Sequence, residues 1–190
     1  APPEAVADDR HGRQRPGRLI LTIEDDPDFA RALVDLAHEL DFDCVVAHTA
    51  EEGLALAAEL RPSGILLDIG LPDVSGLSVL ERLKRDPATR HLPVHVVSAL
   101  ERSQVALELG AVGYLIKPAT RDRLAAAIRQ LEQTHARDVR RLLIVEDDRD
   151  LRANLQLLLA RDQLEIVAVG TIADAIAQLD QSTFDCMVTD

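Results

Sequence analysis

Side chains of the types that support metal binding and nucleophilic chemistry follow short apolar segments of this 190-residue chain. Three are carboxylates, one is a hydroxyl and one is an ammonium: Glu24, Asp25, Asp68, Ser98 and Lys117. Carboxylates that are brought close together repel and raise one another's pKa unless a cation lies among them. Carboxylate oxygens with room for water are the ligands that Mg²⁺ prefers.

The same set can support phosphoryl transfer. A divalent metal would neutralise the charge of a phosphoryl donor, while the lysine ammonium and the serine hydroxyl bind its other oxygens. Asp68 would then act as the nucleophile and form an acyl phosphate. Positioning and charge neutralisation are most of what a protein supplies in such a reaction. We therefore predict a Mg²⁺-dependent phosphoacceptor site at Asp68.

The segments around these residues predict one parallel sheet. Apolar runs at 19–23, 44–47, 64–68, 93–97 and 112–116 alternate with helical patterns at 27–40, 50–60, 75–85, 103–109 and 120–134. This alternation predicts an α/β fold, with a flavodoxin-like, doubly wound, five-stranded parallel sheet in the order 2-1-3-4-5. Ligands of such sheets bind beyond the carboxyl ends of the strands, and the candidate residues follow those ends.

The pattern begins again near residue 141. Three acidic residues of the second copy match three of the first at an offset of 122 positions: Glu146, Asp147 and Asp190 for Glu24, Asp25 and Asp68. A repeat of this kind predicts tandem domains, but this copy holds only the first half of the fold. Its last strand would be an exposed apolar edge. We therefore expect a longer parent protein, or a homodimer in which this edge pairs in trans.

These boundaries predict the domain organisation. We expect a linker or disordered arm over 1–17, a complete domain over 18–134, a linker over 135–140 and the truncated N-terminal half of a second domain over 141–190. The arm contains Pro, Gly and many charges without periodicity, so its Arg and His side chains are interpreted as solvated.

Composition excludes several classes of protein. The formal net charge of −12 argues against a nucleic-acid-binding surface in this chain. No apolar run is long enough for a transmembrane helix, so we expect no membrane segment. Cys44 and Cys186 lie in strand-like segments and share no metal-binding spacing, which predicts buried free thiols. Free thiols suit a reducing compartment, and we expect a cytoplasmic location.

Four motifs resemble the receiver domains of bacterial response regulators and hybrid histidine kinases. They are the run EDD at 24–26, the run DIGLPDVSG at 68–76, Ser98 and the run GYLIKP at 113–118. The resemblance covers 18–134 and resumes over 141–190. It implies a phosphorelay module that accepts a phosphoryl group from a phosphohistidine of a histidine kinase or histidine phosphotransfer protein. It also implies no enzymatic activity beyond the module's own phosphorylation and dephosphorylation, within a multi-receiver hybrid kinase or tandem regulator.

The resemblance also implies a role for each matching residue. The implied ligands of Mg²⁺ are Glu24, Asp25, Asp68 and the backbone carbonyl of Gly70. The implied phosphorylation site is Asp68, and the implied catalytic and switch residues are Lys117, Ser98 and Tyr114. Asp26 is an additional neighbouring carboxylate, and Pro118 matches a position that often follows a cis peptide bond. The second copy supplies an incomplete set: Glu146, Asp147 and Asp190.

One departure and two alternatives remain. Gly110 follows Ser98 by twelve positions, fewer than we expect of single-receiver regulators, so the fourth helix or the loop before it should be short. The dimerisation mode is therefore open. The first alternative is a non-phosphorylated pseudo-receiver that acts as a protein-interaction module. The second is a Mg²⁺-dependent hydrolase, which would need a second acid two residues after its nucleophile, and Gly70 argues against it.

Overall fold

The computed structural model describes residues 6–135, 141–161 and 164–189. The chain divides into two compact units, Ala1–Ala136 and Arg137–Asp190. In the described residues no helix is long and apolar enough to cross a membrane.

Five parallel strands form the sheet of the first unit, in the order β2-β1-β3-β4-β5. The strands are β1 (Leu19–Ile23), β2 (Asp43–Ala47), β3 (Gly64–Leu67), β4 (Val94–Ser98) and β5 (Gly113–Ile116). The helices are α1 (Pro27–Glu39), α2 (Ala50–Leu60), α3 (Gly76–Arg85), α4 (Ser103–Glu108) and α5 (Arg121–His135). The predicted fold and strand order are confirmed, and α4 is a short helix of six residues.

The hydrophobic core lies on both faces of this sheet. Successive side chains of a strand point to opposite faces, and β1 shows the result. Leu21 and Ile23 pack with residues of α2 and α3, whereas Ile20 packs with residues of α1 and α5. Burial on both faces explains why every residue of β1 to β4 is buried and why most of them are apolar. The same burial holds the strand ends in place, and the side chains of the predicted site lie at those ends.

The first two helices begin at side chains that bind free backbone N–H groups. Asp26 accepts hydrogen bonds from the N–H groups of Asp28 and Phe29, at 2.9 and 3.4 Å, and so caps α1. Thr49 caps α2, because its Oγ1 accepts a hydrogen bond from the Glu52 N–H at 3.2 Å. Such caps satisfy donors that the first turn of a helix leaves unpaired. Asp26 therefore has a structural role as the cap of α1.

The arm before β1 is described over residues 6–17, where two of the arginines predicted to be solvated, Arg10 and Arg15, instead form ion pairs with Asp8 and Asp43. It lies along the free edge of β2. Asp9 pairs with Cys44 twice: its N–H donates to the Cys44 carbonyl at 3.0 Å, and its carboxylate accepts from the Cys44 N–H at 2.8 Å. Asp8 accepts from the Val46 N–H at 2.9 Å, and Arg10 donates to the Val46 carbonyl at 2.7 Å. The physical reason is that an edge strand has unpaired backbone groups.

A second group of contacts fastens the arm to the start of β2. The Asp43 carboxylate is buried and accepts hydrogen bonds from the N–H groups of Gln14 and Arg15, at 2.9 and 2.8 Å. The Arg15 guanidinium donates to the same carboxylate at 2.9 Å. These bonds lower the pKa of Asp43, although burial alone would raise it.

The second unit repeats the first half of the first. It contains β6 (Arg141–Val145), α6 (Arg149–Leu159), β7 (Glu165–Val169), α7 (Ile172–Gln181) and β8 (Cys186–Thr189). The strand order is β7-β6-β8, which corresponds to β2-β1-β3. His135 belongs to α5 and not to the predicted linker, and residues 136–140 lie outside the described residues.

The two cysteines differ in environment. Cys44 is buried as predicted, and burial raises the pKa of its thiol to about 12. Cys186 is exposed, so its predicted burial is wrong. It lies in β8, an edge strand of a three-stranded sheet, where less of the strand surface is covered. Large apolar side chains of this unit are also exposed, and three of them, Leu157, Leu158 and Ile172, are exposed by 74% to 79%.

Replacing Asp9 with Ala should loosen the arm from β2. We expect faster hydrogen exchange at the Cys44 N–H and a loss of about 1 kcal/mol in the free energy of unfolding, because one backbone donor loses its partner. Amide exchange measured by NMR checks this. Gln14→Ala is the control, since Gln14 contacts Asp43 through its backbone N–H. Unchanged exchange in Asp9→Ala would contradict the assigned contact.

Candidate functional site

Two carboxylates occupy the ends of neighbouring strands in the centre of the sheet. Glu24 follows β1, and its N–H donates to the Ala47 carbonyl at 2.9 Å. Asp68 follows β3, and its N–H donates to the Ile23 carbonyl at 3.0 Å. Both residues therefore continue the hydrogen bonding of the sheet. Both are buried, with exposed fractions of 2% and 8%.

A single ammonium group joins these carboxylates. Lys117 follows β5, and its N–H donates to the Ser98 carbonyl at 2.9 Å. Its Nζ donates to Glu24 Oε2 at 2.7 Å and to Asp68 Oδ2 at 2.8 Å. The ammonium also lies 4.3 Å from the centre of the Phe29 ring in α1, a cation–π contact. The peptide bond between Lys117 and Pro118 is cis.

A third carboxylate completes a group that could hold a metal ion. Oxygen atoms of Glu24, Asp25 and Asp68 all lie within 4.8 Å of one another. Three ionised carboxylates and one ammonium would leave two negative charges in excess, which a divalent cation would balance. The donor atoms are all oxygens, and hard divalent cations such as Mg²⁺ prefer oxygen ligands. The residues present therefore fit Mg²⁺.

The two buried carboxylates have opposite pKa shifts. Burial raises the pKa of Glu24 to about 7, even though the Lys117 ammonium acts to lower it. Burial also acts to raise the pKa of Asp68, but hydrogen bonds from Lys117, the Gly70 N–H and Ser98 bring it below its ordinary value. Burial lowers the pKa of Lys117, and its bonds to Asp68 and Glu24 more than offset this. At neutral pH Asp68 is thus ionised, which is the nucleophilic form.

The loop after Asp68 approaches the site closely. The Gly70 N–H donates to Asp68 Oδ1 at 3.0 Å, and the Gly76 N–H donates to the Ile69 carbonyl at 2.9 Å. A Cβ atom at Gly76 would lie 2.0 Å from the Asp68 carbonyl oxygen. Only glycine allows such an approach without moving the backbone. Gly76 therefore lets α3 begin directly against the residue that follows β3.

Ser98 and Tyr114 both contact the loop between β4 and α4. Ser98 is buried, its side chain acts to lower the pKa of Asp68, and its Oγ accepts a hydrogen bond from the Leu100 N–H at 3.4 Å. The Tyr114 hydroxyl donates to the Leu100 carbonyl and accepts from the Arg102 N–H at 3.3 Å. One loop of four residues thus connects the serine beside Asp68 with the tyrosine of β5.

The second unit repeats only part of this arrangement. Glu146 is buried like Glu24, and Asp148 caps α6 as Asp26 caps α1. The Asp148 N–H donates to Glu146 Oε1 at 3.1 Å. The third predicted residue of this set, Asp190, lies outside the described residues.

Phe29 is a residue of the site that the sequence did not indicate. Its spacing from Asp26 is that of an ordinary core position in α1, and no motif marks an aromatic residue there. Its contact with Lys117 depends on the two elements meeting in three dimensions.

Comparison with known sequences gives the family. The sequence model of the response regulator receiver domain matches residues 20–129, more than half of the chain. The chain belongs to the response regulator receiver family. It is a phosphoacceptor module of two-component signalling. Receiver domains interact with histidine kinases or phosphotransfer proteins.

One similar protein is the DNA-binding dual master transcriptional regulator RpaA of Synechocystis sp., 38% identical over 116 residues. The match covers 59% of this chain and 48% of RpaA. The chain spans 26% to 60% of other curated response regulators that match it.

Solved structures agree with the receiver fold. A sensor protein from Polaromonas sp. JS666 is 33% identical with a TM-score of 0.58, and the match covers 64% of this chain and all of that one. The receiver domain of the Pseudomonas aeruginosa sensor histidine kinase PA1611, described with magnesium in its active-site cleft, is 23% identical. Its TM-score is 0.56, and the match covers 62% of this chain and 98% of that one.

Replacing Lys117 with Met should destabilise the first unit in a pH-dependent way. At pH 8 with a chelator, two buried carboxylates lose their counter-ion, and we expect a loss of about 3 kcal/mol in the free energy of unfolding. At pH 5.5 the loss should be smaller, because protonation removes part of the unpaired charge.

Urea unfolding followed by tyrosine fluorescence measures this loss, since Tyr114 is the chain's single tyrosine and the chain has no tryptophan. Lys84→Met is the matched control, because the Lys84 ammonium donates to the Leu92 carbonyl at 2.8 Å. The loss of unfolding free energy in Lys84→Met should not be larger at pH 8 than at pH 5.5. Equal losses at both pH values in Lys117→Met would contradict the assigned ion pairs.

Proposed function

We propose that Asp68 is the phosphorylated residue, and that Glu24, Asp25, Asp68 and the backbone carbonyl of Gly70 hold Mg²⁺. One observation carries the proposal: the Lys117 ammonium lies 2.7 Å from Glu24 and 2.8 Å from Asp68. The proposed cation-binding pair, Glu24 and Asp25, and the Lys117 ammonium, which would bind phosphate, thus both lie next to the acceptor Asp68. Positioned charge of this kind is what phosphoryl transfer requires.

The residues of this chain would act as follows on a phosphohistidine donor. An ionised oxygen of Asp68 forms a bond to phosphorus while the P–N bond of the donor breaks, and the electron pair of that bond returns to the imidazole nitrogen. Lys117 and Ser98 bind oxygens of the transferred group. Mg²⁺, when bound, would neutralise further negative charge on that group. Glu24 would hold Mg²⁺ as an ionised carboxylate, so it would have to lose its proton for the metal to bind.

Phosphorylation would change the contacts of the loop between β4 and α4. The new anion on Asp68 attracts the Ser98 hydroxyl. In the unphosphorylated structure the Oγ of Ser98 accepts a hydrogen bond from the Leu100 N–H. A shift of Ser98 therefore moves Leu100, to whose carbonyl the Tyr114 hydroxyl donates. The loop thus relays the charge change to β5. A differential affinity of about 1–3 kcal/mol would change partner binding roughly 5- to 150-fold.

The proposal extends to the wider context. The donor is a histidine kinase or a histidine phosphotransfer protein, and the second unit is the first half of a second receiver in a multi-receiver hybrid kinase or tandem regulator. The matching acidic residues and matching caps of the two units support this. The buried free thiol of Cys44 supports a cytoplasmic location. The pseudo-receiver alternative has no observation in its favour, because all the required side chain types are present.

Incubation with acetyl phosphate and Mg²⁺ should add one phosphoryl group to the chain, because Asp68 is ionised and faces the acidic pair. Intact-mass spectrometry at short time points measures the adduct. We expect it to disappear in Asp68→Ala and when EDTA is present.

Asp190→Ala is the matched control, since Asp190 is the corresponding residue of the second copy, and this variant should keep the adduct. A folded wild-type protein that gains no phosphoryl group would overturn the proposed function. An adduct that persists in Asp68→Ala would assign the acceptor elsewhere.

Mg²⁺ should bind more tightly as the pH rises through neutrality. Glu24 holds a proton with a pKa of about 7 in the metal-free site, so Mg²⁺ must displace that proton at lower pH. For one displaced proton, the apparent Kd for Mg²⁺ should fall about tenfold between pH 6 and pH 8. Isothermal titration calorimetry checks this. Glu24→Gln should bind more weakly and with little dependence on pH, whereas a steep dependence in that variant would assign the proton to another group.

A further inference from the structure

The loop between β3 and α3 is held at its tip by a side chain that the site description does not use. Asp73 Oδ1 accepts a hydrogen bond from the Ala50 N–H at 2.9 Å, and Oδ2 accepts one from the Glu51 N–H at 3.2 Å. Both donors belong to the first turn of α2, where backbone N–H groups have no partner within the helix. A negative charge is favourable at this end of a helix. The carboxylate therefore bridges two elements that are more than twenty residues apart in sequence.

The other hydrogen bonds of this loop are local: the Ser75 carbonyl accepts from the N–H groups of Ser78 and Val79 in the adjoining α3, at 2.9 and 3.2 Å. The Gly70 N–H donates to Asp68 Oδ1, and the Gly76 N–H donates to the Ile69 carbonyl. Leu71 adds an apolar contact with the core. In the described part of the chain, Asp73 supplies the hydrogen bonds that join the segment 70–75 to a secondary-structure element other than the adjoining α3. The tip of the loop is thus fastened at one side chain.

The same loop carries the backbone that the acceptor site requires. Gly70 contacts Asp68 through its N–H, and its carbonyl is the proposed backbone ligand of Mg²⁺. If the loop moved away from α2, the Gly70 N–H would leave Asp68 Oδ1, and the Gly70 carbonyl, the proposed ligand, would move with it. A metal site depends on the groups that orient its ligands as well as on the ligands themselves.

We propose that Asp73 is a positioning residue for phosphoryl transfer: it fastens the loop between β3 and α3 to the start of α2, and so keeps the Gly70 backbone in place for Mg²⁺ and Asp68. The inference rests on the proposed function of the site. Asp73 acts through the loop, since its carboxylate is committed to the N–H groups of Ala50 and Glu51.

The same helix end offers a matched control for this role. Thr49 Oγ1 accepts from the Glu52 N–H at 3.2 Å, so it too binds a free donor in the first turn of α2. Thr49 lies in the chain directly before that helix and does not hold the loop. Thr49→Ala and Asp73→Ala should both lower the melting temperature, because each removes a capping interaction. Only Asp73→Ala should alter the metal site.

The experiment measures the rate of phosphorylation by acetyl phosphate as a function of Mg²⁺ concentration, for wild type and the two variants. We expect Asp73→Ala to raise the Mg²⁺ concentration for half-maximal rate by roughly tenfold, the lower range for loss of a group that orients a metal ligand. Thr49→Ala should leave that concentration unchanged. Asp73→Asn, which retains an oxygen acceptor, should recover part of the loss, and it also serves if Asp73→Ala does not fold.

A second readout does not depend on phosphorylation. The NMR shift of the Gly70 amide is followed as Mg²⁺ alone is added. In Asp73→Ala this signal should respond at higher Mg²⁺ concentration than in wild type, and in Thr49→Ala it should follow the wild-type curve.

The outcomes separate this inference from the proposed function. If wild type accepts a phosphoryl group but Asp73→Ala and Thr49→Ala show the same Mg²⁺ dependence, Asp73 has only a structural role and the inference is overturned. If wild type accepts no phosphoryl group and its Gly70 amide does not respond to Mg²⁺, the proposed function fails and the inference fails with it. A higher Mg²⁺ requirement in the Asp73 variants, with no change in Thr49→Ala, supports the inference.

Discussion

The ammonium of Lys117 is the interaction on which the rest of the site depends. Two buried carboxylates at the ends of β1 and β3 would repel each other strongly without a counter-ion. The lysine comes from the end of β5, so its reach across the sheet edge requires β1, β3, β4 and β5 to lie in the observed order. Core packing on both faces of the sheet keeps that order. Core packing therefore places Glu24, Asp68 and Lys117 next to one another, and the Lys117 ammonium offsets the repulsion between the two buried carboxylates.

The cluster also shows how one environment can give two carboxylates different tasks. Glu24 is almost fully buried and keeps a proton near neutrality, whereas Asp68 has a lower pKa because more hydrogen bonds stabilise its charge. One carboxylate is thereby available to respond to a metal, and the other is already ionised as a nucleophile. Ser98 connects this site to the loop between β4 and α4, since its side chain lowers the pKa of Asp68 and its Oγ accepts a hydrogen bond from the Leu100 N–H of that loop. The charge of Asp68, the protonation of Glu24 and the position of the loop between β4 and α4 are thus coupled.

Sequence reasoning was sufficient wherever a regular pattern carried the information. The strand order followed from alternating apolar runs and helices, and the convergence of Glu24, Asp68, Ser98 and Lys117 followed from their places after strands. Contacts between a side chain and a distant backbone have no such pattern. The Asp73 bridge to α2, the Phe29 contact with Lys117 and the arm along β2 all depend on elements that meet only after folding. Cys186 was misjudged for a related reason: strand-like sequence predicts a strand, but burial depends on what covers it.

The arm along β2 has a consequence for what can bind this sheet. Asp8, Asp9 and Arg10 occupy the backbone donors and acceptors of Cys44 and Val46, so this border of the sheet is closed to an added strand. A peptide that extended the sheet here would have to compete with a covalently attached segment present at high effective concentration. Binding at this border would then be thermodynamically linked to release of the arm. Recruitment by strand addition is thus disfavoured on the β2 side.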